Sequence, residues 1–412
     1  MDLDYLVYPF IFAAIYFEAF LLVTFLNKPN GTSPAYAFTG IYPKVAMIVP
    51  CYNEESTIKG TVDSLLALDY PKDKLQIILV NDGSTDGTKA VMDSYQNNEQ
   101  VSIIHKENGG KHTGLNAGIE LAKDAEFVGC LDADSFVDPH AMKEVILPFA
   151  DPKVAAVTSA MSVFKPKNLL EHTQNAEYIM GISLRFILAH VNGLHVTPGP
   201  LSLYRRSIFA ELGGFEKGHN TEDMEMALRI QRAHLKIANA PLARVYTKVP
   251  TTPPALVKQR TRWTTGFLRN VLFDYRDLVG NHQHGALGLL VLPLGFLSLI
   301  GALVVITVFI YNTVKSAFES YSIVSGVPIE YVLRPEFSFD WFYLPVTGFL
   351  LFGLVATFGA LVLVMLGKNI SKTKGPIGVG IVGYLFIYGL IAPFWLVHSF
   401  WDLIVGHKRN WR

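Results

Sequence analysis

The apolar residues of this chain are bunched at its two ends, and that placement limits the fold before any motif is read. Residues 5–26 form one apolar stretch, and three more occupy 287–311, 341–366 and 377–405. Each is long enough to cross a bilayer. The intervening residues, 27–285, carry the polar mixture of a globular domain. Half of the 412 residues are hydrophobic and 17% are charged, too apolar for an ordinary soluble enzyme and too charged for a bare helical bundle. Lys plus Arg equals Asp plus Glu at 35 each, so there is no basic excess to suggest a nucleic-acid partner. The lipid bilayer is the expected partner.

Charge around the spans suggests a topology. Asp2 and Asp4 precede the first run and Lys28 follows it, which makes a poor cleavable signal and orients the span from outside to inside. The loop 315–340 leans acidic and is expected outside. The link 368–374 is basic and is expected in the cytoplasm. The last run then delivers the basic tail 406–412 to the outer side, against the positive-inside tendency, unless it bends at Pro393 and ends in the interface. Glu18 lies inside the first span, where a carboxylate is costly. It either faces a pore or an acceptor, or sits neutral and bonded within the bundle. Cys51 and Cys130 are the two cysteines, read as small buried residues in a reducing compartment.

Within the polar segment, strand-like runs at 45–49, 75–80, 101–105 and 127–131 alternate with helical patterns at 57–68 and 113–122. This alternation predicts a mostly parallel sheet covered by helices, with ligands beyond the carboxyl ends of its strands. Tyr52-Asn53-Glu54, Asp82-Gly83 and Asp132-Ala133-Asp134 fall at those ends. No GxGxxG follows the first strand and no GxxxxGK[ST] occurs, which argues against dinucleotide and P-loop enzymes. A linker is expected at 28–43, and a long helix at 169–191 leading to a further strand-like run that ends at Tyr204.

Four constellations carry chemistry. Asp132 and Asp134, two apart in an extended segment, would face one side and hold a hard divalent cation; the plainer reading is a solvated turn. Asp82 in its Gly-rich turn could accept from a base or ribose, or could simply serve the turn. Glu222 and Asp223 follow Thr221 ahead of an apolar-periodic helix; either could be a general base, or both could serve a capped helix start. Gln259, Arg262 and Trp263 lie on a helix after Pro253-Pro254, where Arg262 could hold a diphosphate and Trp263 could stack on a sugar or base. That helix also reads as a basic interfacial one.

In this order and spacing the motifs resemble those of the membrane-integrated inverting glycosyltransferases of family 2, the cellulose, chitin, hyaluronan and poly-N-acetylglucosamine synthases. The early Asp is Asp82, the DxD is Asp132-Ala133-Asp134, the TED is Thr221-Glu222-Asp223, and the QxxRW is Gln259 with Arg262-Trp263. The 49–54 run and Gly109-Gly110-Lys111 are also similar. The resemblance implies a GT-A, Rossmann-like cytosolic domain at 44–252, a transmembrane helix at 1–27, interfacial helices at 253–285 and a membrane region at 286–412.

It further implies a UDP-sugar donor bound by Tyr52, Glu54, Asp82, Lys111 and Asp132, and Mg²⁺ or Mn²⁺ on Asp134. Asp223, with Glu222 beside it, would be the base. Gln259, Arg262 and Trp263 would frame the diphosphate and the acceptor. The expected product is a growing β-linked polysaccharide made at the cytoplasmic face of the plasma membrane, with a dimer or an accessory secretion subunit completing the path. Residues 199–206 are similar to a stretch of hyaluronan synthases, while the short chain looks more like poly-N-acetylglucosamine synthases. The alternatives are a single transfer to a lipid such as ceramide or a polyprenyl phosphate, and a channel with a nucleotide-sensing domain.

Overall fold

A computed structural model describes residues 3–27, 40, 42–327 and 348–406. Most of the expected linker, the start of the third apolar run, the loop beyond residue 327 and the basic tail after 406 lie outside the described residues. The chain forms two compact units, Met1–Phe20 with Leu294–Ala360, and Leu21–Pro293 with Leu361–Arg412.

The elements run α1 (Tyr8–Leu26), β1 (Val45–Cys51), α2 (Ile58–Leu66), β2 (Leu75–Asp82), α3 (Thr88–Asp93), β3 (Val101–Lys106), α4 (Lys111–Leu121), β4 (Phe127–Cys130), β5 (Ser135–Val137) and α5 (Ala141–Ile146). They continue as β6 (Val154–Val163), α6 (Leu169–His190), β7 (Ser202–Arg205), α7 (Ser207–Glu211), α8 (Glu222–Arg232), β8 (Lys236–Thr247), α9 (Pro253–Arg269), α10 (Leu292–Val324), α11 (Gly348–Ile370) and α12 (Gly378–Val405).

The sheet order is β3-β2-β1-β4-β7-β6-β8-β5. The first four strands are parallel, as are β6 and β8, while β7 and β5 pair antiparallel with their neighbours. Every residue of β1 is buried, as a strand covered on both faces requires. Its Ile48 stands opposite Ile78 of β2 and Cys130 of β4. This register brings the loops after β1, β2 and β4 to one edge of the sheet. Cys51 and Cys130 are both buried and free.

Among the described residues four helices are long and apolar enough to cross a membrane, which makes this a membrane protein. Their outward surfaces carry Phe12, Phe309, Phe358, Phe386 and Trp401, all well exposed. The second runs on to Val324 rather than ending near 311, because its polar continuation keeps helical spacing and carries the Lys315–Glu319 pair. In the first unit, Phe10 of α1 lies against Gly301 of α10, and Glu18 fits over Gly359 of α11. The last helix continues through Pro393 without a break in its assignment.

In the second unit α12 is built into the body that holds the sheet. A Cβ at Gly380 would collide with the carbonyl of His172, and one at Gly383 with Thr173, so the backbones of α6 and α12 approach closely. At the other end of α12, Arg269 of α9 donates to the Asp402 carbonyl at 2.9 Å. The helices expected merely to lie at the interface, 253–285, are thus partly covered by protein.

Candidate active site

A cavity of about 480 Å³ sits at the carboxyl edge of the sheet, between it and the helices α6, α8 and α9. Tyr52, Glu54, Lys111, Asp132, Asp134, Glu222, Asp223, Gln259, Arg262 and Trp263 all line it. Residues more than 200 positions apart in the chain meet here because the strand ends and two helix starts converge.

Asp132 and Asp134 reach the cavity by a turn rather than along an extended strand. β4 stops at Cys130, and the Ser135 N–H donates to the Asp132 carbonyl at 3.0 Å. The turn wins over extension because β5 must leave in a new direction to pair with β8. Asp134 accepts from the hydroxyls of Ser135 and Thr247, each at 3.3 Å. Among the described residues no three His, Cys, Asp or Glu side chains form a metal cluster. The protein therefore offers two hard carboxylates on a cavity wall, which fits a divalent cation that completes its shell with phosphate oxygens and water.

Lys111 opens α4 and bridges two acids, Asp132 at 2.7 Å and Glu222 at 2.9 Å. Burial works against its ammonium, but Asp132, Glu222 and Asp223 together hold its pKa well above the usual value. Burial likewise pushes Glu222 up, and the Lys111 charge more than offsets it, so Glu222 titrates below the ordinary carboxylate range. Asp223 has no such partner. Among the described residues its carboxylate makes no ion pair and accepts from the Met224 N–H at 2.8 Å; burial and then the Glu222 charge raise its pKa to about 6, against the lowering pull of the Lys111 and Arg262 charges. The two neighbouring acids are thereby separated in role.

The Asp223 backbone is held from below. Tyr204 in β7 donates to Thr197 at 2.8 Å, and Thr197 donates to the Asp223 carbonyl at 2.8 Å. The 199–206 stretch thus supports the acid through a buried strand. Thr221 does not cap α8 with its side chain; its hydroxyl donates back to Gly218 at 2.6 Å. It does so because Gly218, His219 and Asn220 all have positive φ, folding the chain back on itself. Arg262 donates to the Asn220 carbonyl at 2.8 Å and so ties α9 to that turn.

Asp82 does not line the cavity. It is 1% exposed, and its carboxylate accepts from Lys106 at 2.5 Å and from the Gly109 and Gly110 N–H groups at 3.0 and 2.8 Å. Gly110 has φ of 91°, a backbone that presents its N–H to Asp82 and that side-chain-bearing residues seldom adopt. In this structure Asp82 orders the 106–110 loop that delivers Lys111.

Several cavity residues carried no motif. Glu177 of α6 accepts from Arg260 at 2.6 Å and from Tyr388 of α12 at 2.5 Å. Arg260 also donates to Gln259 at 2.8 Å and stacks 4.1 Å over the Trp263 ring. Tyr178, Gly181, Arg185 and Lys248 complete that side. The spacing of Glu177, Gly181 and Arg185, each one helical turn from the next, was the only sequence signal for this wall. A wider groove of about 1150 Å³ shares Asp134, Lys248, Gln259 and Arg262 with the cavity and adds Lys217 and Lys258.

Comparison with known proteins agrees with this geometry. A 234-residue stretch is 32% identical to poly-beta-1,6-N-acetyl-D-glucosamine synthase of Staphylococcus aureus (strain COL), covering 56% of each protein. The corresponding synthase of Staphylococcus epidermidis is 31% identical over the same share. The match thus spans little more than half the length of these relatives. The solved structure of the mannosyltransferase PcManGT from Pyrobaculum calidifontis, in complex with GDP-Man and Mn²⁺, superimposes with a TM-score of 0.63. It covers 94% of this chain and 98% of its own at 20% identity, which supports a shared fold. The model of glycosyltransferase like family 2 matches residues 43–266, more than half of the chain, and the chain belongs to that family.

Proposed function

We propose that the chain is an inverting glycosyltransferase that extends a β-linked polysaccharide from a UDP-sugar donor at the cytoplasmic face of the plasma membrane. The observation that carries this reading is the presence, in a single cavity, of Asp223, a carboxylate with raised pKa and no ion-pair partner among the described residues, and of a basic wall of Arg262 and Lys248. A hydroxyl nucleophile needs a base and a leaving diphosphate needs positive charge. Relatives named as poly-N-acetylglucosamine synthases favour a polymer over a single transfer to lipid.

In this reading Asp223 takes the proton from the acceptor hydroxyl as its oxygen attacks the anomeric carbon. The bond to the nucleoside diphosphate breaks on the opposite face, which inverts the configuration. Arg262 and Lys248 hold the departing phosphates, and Trp263 gives the acceptor sugar a flat apolar surface. Lys111 keeps Glu222 ionised and out of the base role, and lies where it can turn from Asp132 to a donor. Asp134, with Asp132, would hold the Mg²⁺ or Mn²⁺. When bound, the cation supplies charge neutralisation for the diphosphate. The nucleotide base would lie towards Tyr52 and Glu54, with Asp82 acting through its loop.

The test is UDP release and product size from membranes containing the chain, with Mg²⁺ or Mn²⁺ and a panel of labelled UDP-sugars. A long polymer from one sugar, or from an alternating pair, supports the reading. One sugar on a lipid moves the assignment to single transfer, and no UDP release from any donor overturns it. Excess chelator is expected to stop turnover; full activity in chelator would remove the cation from the reading.

A further inference from the structure

Arg185 of α6 lines the cavity, as do Tyr178, Leu184 and Val196. Helical side chains lean towards the helix N-terminus, and the guanidinium accordingly lies back over Gly181, with Nη1 3.2 Å from where a Cβ there would be. Its Nε and Nη2 are shielded from solvent and have no hydrogen-bond partner among the described residues. None of the ion pairs among the described residues includes it. Three of the cavity's acids are committed elsewhere: Glu177, two turns back, serves Arg260 and Tyr388, while Asp132 and Glu222 serve Lys111. Among the described residues neither Asp223 nor the Tyr178 hydroxyl, both on the cavity wall, bonds to Nε or Nη2, and Met161, Met180, Leu184 and Val196 of the same wall are apolar.

A cation taken out of water without a partner is expensive, and proteins keep one where something else completes it. Two adjacent guanidinium N–H groups match two oxygens on one atom, as in a carboxylate or a phosphate. We propose that Arg185 is an anion subsite on the acceptor side of the cavity, taking a carboxylate or phosphate carried by the acceptor. Arg185 reaches the cavity from α6, one turn beyond Gly181, whereas Arg262 and Lys248 reach it from α9 and the end of β8. The assignment of this end to the acceptor rests on the transferase reading; the anion site itself does not.

The experiment uses the full chain in detergent, with UDP at saturation to engage Arg262 and Lys248. Thermal unfolding is followed while inorganic phosphate is added, then a glucuronate-terminated oligosaccharide, then a short isoprenyl phosphate. The expected result is a rise in Tm of several degrees for wild type that Arg185→Met abolishes and Arg185→Lys retains in part. Without ligand, Arg185→Met is expected to melt at or above wild type, since it removes an unpaired charge. The stronger effect of the oligosaccharide would assign the anion to a sugar, and that of the isoprenyl phosphate to a lipid. A rise that survives in Arg185→Met, or no rise with any of the three, overturns the site. UDP release is measured on the same preparation. Its absence would sink the transferase reading while leaving the Arg185 result standing.

Discussion

Two adjacent acids at the start of α8 behave differently because Glu222 forms an ion pair with Lys111, while Asp223 feels that charge without bonding to it. Asp223→Asn keeps the size and the Met224 contact but removes the base. It is expected to lower kcat by about 10²–10⁴-fold while UDP still binds, as measured by turnover beside equilibrium UDP titration. The raised pKa sets the pH dependence. Above about 6 Asp223 is ionised and can accept a proton; below it the carboxyl is neutral and cannot. Transfer is expected to fall about tenfold per pH unit once pH drops below about 6. A flat profile from pH 7 to 5 would exclude Asp223 as the base. These residues were legible in the sequence because each follows a strand or opens a helix, where local pattern and chemistry coincide. Asp82 was legible as a strand end but not in its role. Its partners lie on a loop some 25 positions later, and no local pattern shows that three donors will enclose it.

Among the elements, α6 is the one whose importance the sequence left dark. Its helical spacing is plain, and its capping box at Asn168 and Glu171 marks the start. What it packs against is not plain, because its partners come from β6, α9 and a membrane span more than 200 residues away. The glycines of α12 were the available clue, and their meaning depends on knowing which helix faces them. Gly383→Val is expected to force α6 and α12 apart and to cost about 1–3 kcal/mol, seen as a lowered Tm of the detergent-solubilised chain. An unchanged Tm would mean that the close approach is not needed. The four parallel strands were readable because continuous β-branched runs on both sides of helical patterns leave few alternatives. The strand-like run ending at Tyr204 was readable, but its antiparallel insertion between β4 and β6 was not, since so short a strand shows neither its direction nor its neighbours.

At the scale of the whole molecule, the second compact unit contains both the sheet and the last membrane helix. A chain truncated after residue 371 would lack α12 and uncover the faces of α6 and α9 that it covers, together with the partner of Glu177. Because α1, α10 and α11 remain, the fragment is compared with the full chain in the same detergent, where it is expected to aggregate and melt lower, as checked by size-exclusion chromatography and thermal unfolding, even though its sheet is complete. A monodisperse fragment with the Tm of the full chain would show that α12 is only an anchor. The glycine seam between α6 and α12 also bears on how this protein could be remodelled. The last helix is not an interchangeable tether. A chimera that borrows a different membrane half would have to bring matching versions of α6 and α9 with it. Changes on either side of the seam are then constrained to occur as compensating sets, whichever sugar the cavity receives.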